Sequence, residues 1–260
     1  MSSKLRIVTW NIHKGIGTDR AYRLDRTIEV LRELDADVVC LQEVDEFVPR
    51  SRKERQGSVL ARELGYPHAA LGLNVRVKTG AYGNLTLSKH PLRDVHNVDL
   101  TVPPKKRRSA LVTRIVTGPP HGWLLANVHL GLMHLERRIQ LRRLLAHVFE
   151  GARPDQPLVI AGDWNEWGRR LVREVMQDWG FHLARSAQHP KRGARTWPSR
   201  RPIVALDKIL YRDPIRCHHV AGVLDDVTRV ASDHLPLVVE LETPLRVDVP
   251  LPPRPRPARA

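Results

Sequence analysis

The feature that most constrains this chain is an alternation of short apolar runs with amphipathic segments of helical period. Apolar runs of about four to eight residues are typical of buried strands, whereas apolar side chains at every third or fourth position indicate one face of a helix. The spacing predicts helices at 22–34, 56–64, 135–149 and 171–179. The apolar runs predict strands at 5–10, 38–44, 82–88, 111–116, 123–129, 158–161, 204–211, 218–224 and 237–241.

Strands outnumber helices in this pattern, and helices fall between strands in both halves of the chain. The turn-forming segment 118–122 predicts a hairpin between two of the strands. The pattern predicts two packed, mixed β-sheets flanked by helices, with residues 1–243 forming a single domain. Residues 244–260 lose the apolar periodicity and are rich in proline and arginine, which predicts a disordered tail.

The net charge of +15 invites an interpretation as a nucleic-acid-binding protein. However, 34 of the 43 basic residues are arginines spread over the whole chain, as a general compositional bias would also produce. The densest basic cluster, at 105–108, is predicted to be a loop that either contacts phosphates or is simply solvated. Charge alone leaves both interpretations open.

Cysteine content and hydropathy bear on the location of the protein. Cys40 and Cys217 both lie in apolar strand-like segments, which favours two reduced thiols over a disulfide. No apolar run approaches the roughly 20 residues of a membrane span, and the apolar run near the N-terminus is too short for a signal-peptide core. We expect a cytoplasmic monomer without a transmembrane segment.

Polar residues recur where the predicted apolar strands end or are interrupted. Each has an ordinary local explanation, such as a turn cap for Asn11, a tight turn for Asp163 or a helix N-cap for Asp233. Their repetition at so many strand ends indicates a common site on the rim of a rigid scaffold. The residues are Asn11, Glu43, Asn84, His129, Asp163, Asn165, Asp207, Asp233 and His234.

Several of these side chains suit a magnesium site. Mg²⁺ prefers oxygen ligands, retains several waters and needs only one or two protein carboxylates, so its ligands can be far apart in sequence. Glu43 and Asp233 supply carboxylates, and Asn11 supplies an amide oxygen. The expected cofactor is Mg²⁺, with Mn²⁺ as a substitute.

The remaining polar residues suit hydrolysis by an activated water. His234 is the candidate general base, and Asp207 is the candidate partner that orients its imidazole. In an extended backbone Asp163 and Asn165 would point to the same face and address one phosphate and its attacking water. His129 and Asn165 could then stabilise charge on the non-bridging oxygens.

These motifs, in this order, resemble the endonuclease/exonuclease/phosphatase superfamily over the chain from about Lys4 to Glu242. The strings that carry the resemblance are Thr-Trp-Asn, Leu-Gln-Glu, Asn-x-His-Leu, Gly-Asp-x-Asn, Leu-Asp-x-Ile and Ser-Asp-His. The resemblance implies a four-layered α/β sandwich and divalent-metal-dependent, in-line hydrolysis of a phosphoester.

The resemblance also implies residue roles. Its metal ligands would be Glu43 and Asn11, with Asp233 near the ion. The catalytic group would comprise His234, Asp207, Asp163, Asn165 and His129. Asn84 is assigned to substrate contact. Trp197 lies in a segment similar to a substrate-side loop of the superfamily, although a packed tryptophan is an equal alternative.

Departures from the superfamily pattern leave the substrate open. His13 stands where the abasic-site endonucleases carry an acidic residue, and Ala205 stands where many relatives carry an arginine. A nuclease acting on DNA or RNA is the favoured function, and a phospholipid or small-molecule phosphoesterase is the alternative. A non-catalytic binding scaffold is disfavoured because every expected catalytic position holds the expected residue type.

Overall fold

The computed structural model describes residues 3–118, 122–153, 156–185 and 193–244. Within these residues the strands are β1 Ser3–Asn11, β2 Val38–Glu46, β3 His68–Arg76, β4 Ala81–Ser88, β5 Leu92–Asp99, β6 Ser109–Ile115, β7 Trp123–His129, β8 Leu158–Asp163, β9 Phe181–Leu183, β10 Asp207–Arg212, β11 Arg216–Gly222 and β12 Leu237–Thr243. The α-helices are α1 Leu24–Leu34, α2 Gln56–Leu64, α3 His134–Gly151, α4 Arg170–Trp179 and α5 Thr228–Ala231.

The strands form two six-stranded sheets with matching internal patterns. The first has the order β11-β12-β1-β2-β4-β3 and the second β5-β6-β7-β8-β10-β9. Each sheet has one parallel pair, β1 with β2 or β7 with β8, and antiparallel strands on both sides of it. Both sheets are therefore mixed, as the strand pattern predicted.

The apolar core has three parts, which define four layers. One part lies between the two sheets and includes Ile7, Leu125 and Val239. A second packs α1 and α2 on the outer face of the first sheet, and a third packs α3 and α4 on the outer face of the second. The predicted four-layered α/β sandwich is confirmed.

The predicted helices agree with the structure to within a few residues. Helix α2 has the predicted bounds, and α3 extends the predicted helix by one residue at its start and two at its end. The two predicted antiparallel neighbours, β6 and β7, are paired, although part of the turn between them (119–121) lies outside the described residues. Cys40 and Cys217 are unbonded, as predicted.

The strand prediction failed where strands lie at sheet edges. Strands β3, β5 and β9 were not predicted, and each is an outermost strand of its sheet. Strand β5 is mostly exposed and reads Leu-Arg-Asp-Val-His-Asn-Val-Asp, without a continuous apolar face. Few residues of β3 and β5 are buried, so the apolar pattern that reveals a central strand is weak in them, whereas β9 buries Phe181 and Leu183 but has only three residues.

The predicted disordered tail at 244–260 lies outside the described residues except for Pro244. Within the described residues, none of the helices combines the length and the apolar character of a membrane span.

Candidate active site

The two parallel strand pairs bring polar side chains from both sheets to one edge of the sandwich. Asn11 stands at the end of β1, and His129 and Asp163 stand at the ends of β7 and β8. The carboxyl ends of parallel neighbours lie at the same edge of a sheet, and antiparallel β10 begins there beside the end of β8. A hydrogen bond of 3.1 Å from Asn11 Nδ2 to Asp163 Oδ2 joins the edges of the two sheets.

Asp163 is the centre of this cluster and is almost completely buried. Besides Asn11, it accepts a 2.9 Å hydrogen bond from the backbone N–H of Asn165. Nε2 of His129 lies 3.5 Å from its Oδ2, and Nε2 of His234 lies 3.8 Å from the same oxygen. Two imidazoles and one amide therefore surround one carboxylate.

His234 and Asp207 form a buried pair. Nδ1 of His234 lies 2.9 Å from Oδ2 of Asp207, which leaves Nε2 facing Asp163. The indole of Trp10 donates a 2.8 Å hydrogen bond to the carbonyl of His234 and holds its backbone. Oδ1 of Asp207 is buried and has no hydrogen-bond partner among the described residues. Asp207 opens β10 instead of interrupting a strand, so the predicted strand start at 204 is wrong.

The titration properties of these groups differ because their surroundings differ. Burial opposes charge on His234, but Asp207 and Asp163 outweigh it and raise the pKa of the imidazole to about 10. Burial raises the pKa of Asp163 to about 6, although His234 opposes this. Burial, together with the charge of Arg108, holds the pKa of His129 well below its usual value, so His129 is neutral at pH 7.

Glu43 lies on a β-bulge inside β2. The register of β2 with β4 shifts between Leu41 and Val44, and Glu43 has a φ of +58°. Such a backbone is strained for a residue with a Cβ and is found where a bulge re-aims a side chain. The prediction that Glu43 ends its strand is wrong, because β2 continues to Glu46. The bulge presents the carboxylate without ending the strand.

The Glu43 carboxylate is paired with the ammonium group of Lys14. Burial would raise the pKa of Glu43, but neighbouring positive charge, including that of the adjacent Lys14, holds it at about 2. Lys14 itself has a left-handed backbone, with a φ of +65°. Glu43 is therefore ionised and available to a cation at neutral pH.

Asn165 and Asp233 lie at the site but in loops. Asn165 follows the end of β8 with a φ of +49°, so the predicted extended geometry of residues 163–165 is wrong. Its Nδ2 donates a 3.0 Å hydrogen bond to the carbonyl of Leu130, just beyond His129. Asp233 precedes β12 and is partly exposed; Oδ1 accepts a 3.5 Å contact from the hydroxyl of Ser232.

The two residues assigned to substrate contact have different surroundings. Asn84 is buried within β4, and its Nδ2 donates to the carbonyls of Ser109 and Asn127 at 3.0 and 3.2 Å. It thus links the two sheets, and its role in substrate contact stays a prediction. Trp197 is partly exposed and packs edge to face against Trp167, with ring centroids 5.3 Å apart.

Basic residues lie at the site, and two of them, Lys14 and Arg50, were not singled out from the sequence. Lys14, Arg50 and Lys106 surround the ring of Tyr82 at 5.9, 5.1 and 5.2 Å from its centroid. Arg108, which is buried, also contributes to the low pKa of His129. The cluster at 105–108, for which the sequence left phosphate contact and simple solvation open, is therefore adjacent to the site.

Two groups of donors could hold a divalent cation. Ligand atoms of Asp163, Asp207 and His234 all lie within 4.8 Å of one another. Asp207 and His234 are already hydrogen-bonded to each other, so the closeness of their ligand atoms reflects that pair and is not by itself a sign of a metal site. The ionised Glu43 carboxylate and the amide oxygen of Asn11 are oxygen donors of the kind that Mg²⁺ favours; within the described part of the chain, the Asn11 oxygen accepts a single bond, of 3.0 Å, from the backbone N–H of His13.

The sequence of the chain matches a known family. The sequence profile of the endonuclease/exonuclease/phosphatase family matches residues 8–234. The chain belongs to this family. Family members are phosphoric ester hydrolases that generally depend on divalent metals, and the chain is therefore a phosphoric ester hydrolase.

Individual members of the family are similar over nearly the whole chain. YbhP, an uncharacterized protein of Escherichia coli K12, is 31% identical over 252 residues, which cover 91% of this chain and 95% of YbhP. An endonuclease/exonuclease/phosphatase from Beutenbergia cavernae has a TM-score of 0.74 at 23% identity, over 92% of this chain and 72% of that one. TDP2 of D. rerio, solved with a single-strand DNA product, has a TM-score of 0.69 at 22% identity. The match covers 93% of this chain and 100% of that one.

Proposed function

We propose that the protein is a divalent-metal-dependent phosphodiesterase in which His234 activates the attacking water. The observation that carries this proposal is the buried His234–Asp207 pair, whose free Nε2 faces the Asp163 carboxylate across 3.8 Å. A general base needs an oriented imidazole with one nitrogen directed at the reacting water. Asp207 supplies that orientation because it accepts the Nδ1–H and so leaves the lone pair on Nε2.

In the proposed reaction His234 takes a proton from water at Nε2 as the water oxygen bonds to phosphorus. The bond from phosphorus to the leaving oxygen breaks, and the leaving oxygen departs with the electron pair and takes a proton from solvent. The negative charges of Asp207 and Asp163 then stabilise the imidazolium. Asp163 accepts a hydrogen bond from the same water and holds it in line with the leaving oxygen. The imidazole must be neutral at the start. The two carboxylates make it a strong base but also raise its pKa to about 10, so the fraction of neutral imidazole, and with it the rate, should rise with pH through the neutral range.

His129 and Asn165 are assigned to the non-bridging oxygens of the phosphate. His129 is neutral because its pKa is depressed by burial and by Arg108, so it can donate a hydrogen bond without ionising. Asn165 lies beside Asp163 in the same turn. A divalent cation held by Glu43 and Asn11, with Asp233 close by, would supply positive charge to the phosphate as negative charge develops there.

Two substrate classes are supported. DNA or RNA is supported by the net charge of +15, by the basic residues around Tyr82 and by the single-strand DNA product bound to TDP2. A phospholipid phosphodiester is supported by exposed apolar side chains beside the site, at Leu132, Leu135 and Trp167.

The cytoplasmic location and the monomeric state of the protein stay predictions.

A hydrolysis assay with active-site variants tests the proposal. The purified chain is assayed with Mg²⁺ or Mn²⁺ against plasmid DNA, single-stranded DNA, RNA, phospholipid vesicles and bis-p-nitrophenyl phosphate. We expect cation-dependent turnover of at least one substrate and a loss of more than roughly a hundredfold in His234→Ala, as for removal of a general base. Glu43→Ala should also lose cation-dependent activity.

His182→Ala is the matched control. His182 also pairs with an aspartate, Asp213, at 3.2 Å, but that pair is exposed. His234→Ala should lose activity, whereas His182→Ala should keep the activity of the parent. Unchanged turnover in His234→Ala would refute the assignment of the base, and full activity in EDTA would refute the metal dependence.

A further inference from the structure

An exposed apolar surface lies beside the candidate active site. Ten large hydrophobic side chains are exposed among the described residues, and five of them fall in two loop-and-helix segments that follow His129 and Asp163. We call these five residues the apolar rim. They are Leu132, Met133, Leu135, Ile139 and Trp167, with exposed fractions of 70%, 57%, 70%, 41% and 67%.

The segments that carry the apolar rim are joined to each other. Asn165 Nδ2 donates to the carbonyl of Leu130, which ties the loop after β8 to the loop after β7. The guanidinium of Arg137 donates to the carbonyls of Gly131 and Leu132 and fixes the exposed loop on α3. Leu135 and Ile139 are one turn apart on the same helix, so they share a face. The rim is therefore a preformed surface that begins three residues beyond His129.

Basic side chains surround the apolar rim. Arg138 and Arg170 share a single carboxylate, that of Glu174, so this group retains a positive charge. Arg142 is exposed and lies seven residues beyond Leu135, on the same side of α3. Lys14 and Lys106 lie beside Tyr82, and Lys14 pairs with Glu43 of the site. Cations therefore lie beside both the apolar rim and the site.

The exposed aliphatic side chains of the apolar rim distinguish between the two candidate substrates, nucleic acid and phospholipid. A nucleic-acid strand is recognised by cations and by aromatic rings on which bases stack, and Trp167 and Trp197 could provide such rings. Leucine, methionine and isoleucine side chains have no partner on a phosphate backbone. An apolar surface with a basic border complements the interface of a bilayer, where acyl chains lie below anionic phosphates.

We propose that the apolar rim docks on the surface of an anionic phospholipid bilayer and presents a lipid phosphodiester to the active site. The proposal deepens the phosphodiesterase assignment and rests on it for the nature of the substrate. Docking itself does not depend on hydrolysis. The apolar side chains would enter the headgroup region, and Arg138, Arg142 and Arg170 would contact lipid phosphates.

Vesicle flotation in EDTA tests docking without turnover. The full chain is mixed with large vesicles of phosphatidylcholine alone or of phosphatidylcholine with about one third phosphatidylglycerol, at low and at physiological salt. We expect binding to the anionic vesicles and a decrease of at least about tenfold in apparent affinity for Leu132→Ser/Leu135→Ser. Both substituted side chains are largely exposed, and circular dichroism checks that the variant is folded.

Val95→Ser is the matched control because Val95 is also exposed, at 48%, but lies on the edge strand β5. It should bind vesicles as the parent does. Absence of binding to anionic vesicles would overturn the proposal, as would equal binding by the double serine variant, which would indicate adsorption by charge alone. Preferential binding of single-stranded DNA that is weakened in Trp167→Ser but not in the double serine variant would indicate a nucleic-acid platform instead.

The docking and hydrolysis results can be separated. If vesicles bind through the rim but no phosphodiester is hydrolysed, the phosphodiesterase assignment fails and the docking surface stands. If the chain hydrolyses DNA but does not bind vesicles, docking fails and the phosphodiesterase assignment stands.

Discussion

Asp207 Oδ2 lies 2.9 Å from His234 Nδ1, and the side chains of the two residues are 0% and 6% exposed. The pair joins the start of β10 in one sheet to the loop that precedes β12 in the other. Such a pair orients the imidazole and stabilises its protonated form. Each of these effects has its own experimental signature.

Asp207→Asn should lower kcat by roughly a hundredfold to ten-thousandfold, because an amide can select the wrong tautomer of the imidazole. Removing the negative charge also destabilises the imidazolium and lowers the pKa of His234. The acidic limb of the pH–rate profile should therefore move to lower pH while the maximum falls. The measurement is kcat against pH at saturating Mg²⁺.

Asp213→Asn is the control for this change, because Asp213 pairs with the exposed His182. Its pH–rate profile should match that of the parent. A lower kcat in Asp207→Asn with an unmoved acidic limb would show that Asp207 does not influence the titration of His234.

The same pair should make stability depend on pH in the absence of metal. The pKa of His234 is raised in the folded state to about 10, so the folded state binds the proton more tightly than the unfolded state does. This contribution is complete below the usual histidine pKa of about 6.5 and is lost as pH rises toward 10. Between pH 7 and 10 in EDTA, the stability of the parent should fall by more than about 1 kcal/mol relative to His234→Gln. Denaturant unfolding measures the difference, and parallel curves for the two proteins would contradict it.

Glu43→Gln should raise the Mg²⁺ concentration for half-maximal activity by more than about tenfold, since a neutral amide is a weaker ligand for a hard cation. The measurement is initial rate against Mg²⁺ concentration. Glu240→Gln is the control, because Glu240 is also ion-paired, to Arg6 at 2.8 Å, but is exposed. An unchanged half-activation point would remove Glu43 from the metal site.

Lys14→Met should have the opposite effect on metal affinity. The ammonium group of Lys14 pairs with the Glu43 carboxylate, so a divalent cation must displace it. Removing this competitor should lower the Mg²⁺ concentration for half-maximal activity, whereas KM should rise because a cation near the phosphate is lost. Lys89→Met, which removes an exposed pair with Asp35, should change neither. A higher requirement for Mg²⁺ in Lys14→Met would show that Lys14 supports the metal site instead.

Gly162→Ala should destabilise the fold beside the site. Gly162 has a φ of +147°, and a Cβ there would lie 2.0 Å from the backbone oxygen of Val128 on the neighbouring strand. We expect a loss of more than about 2 kcal/mol in the free energy of unfolding. Gly168→Ala, where a Cβ would meet nothing within 4 Å, should stay within about 0.5 kcal/mol of the parent. Equal stability of the two variants would show that the β7–β8 pair can move apart.

The agreement between sequence and structure is highest where burial is complete. Strands β1, β2, β7 and β8 and helices α1 to α4 were predicted because their apolar periodicity is continuous. The edge strands β3 and β5 were missed because few of their residues are buried, and β9 was missed because it has only three residues. The polar residues were found because each is exceptional beside a buried apolar run, as Asp163 is after residues 158–161.

The sequence by itself determined the layered α/β fold, the family and the residue types available for phosphoester hydrolysis, because these depend on apolar periodicity and on ordered motifs. Only the tertiary structure decided which atoms meet: His234 Nδ1 with Asp207, Asn11 with Asp163, and Lys14 with Glu43. The bulge at Glu43 and the left-handed turn at Asn165 also required it. The physical reason is distance along the chain, since Asn11 and Asp163 are 152 residues apart and are brought together by two sheets whose packing no local pattern encodes.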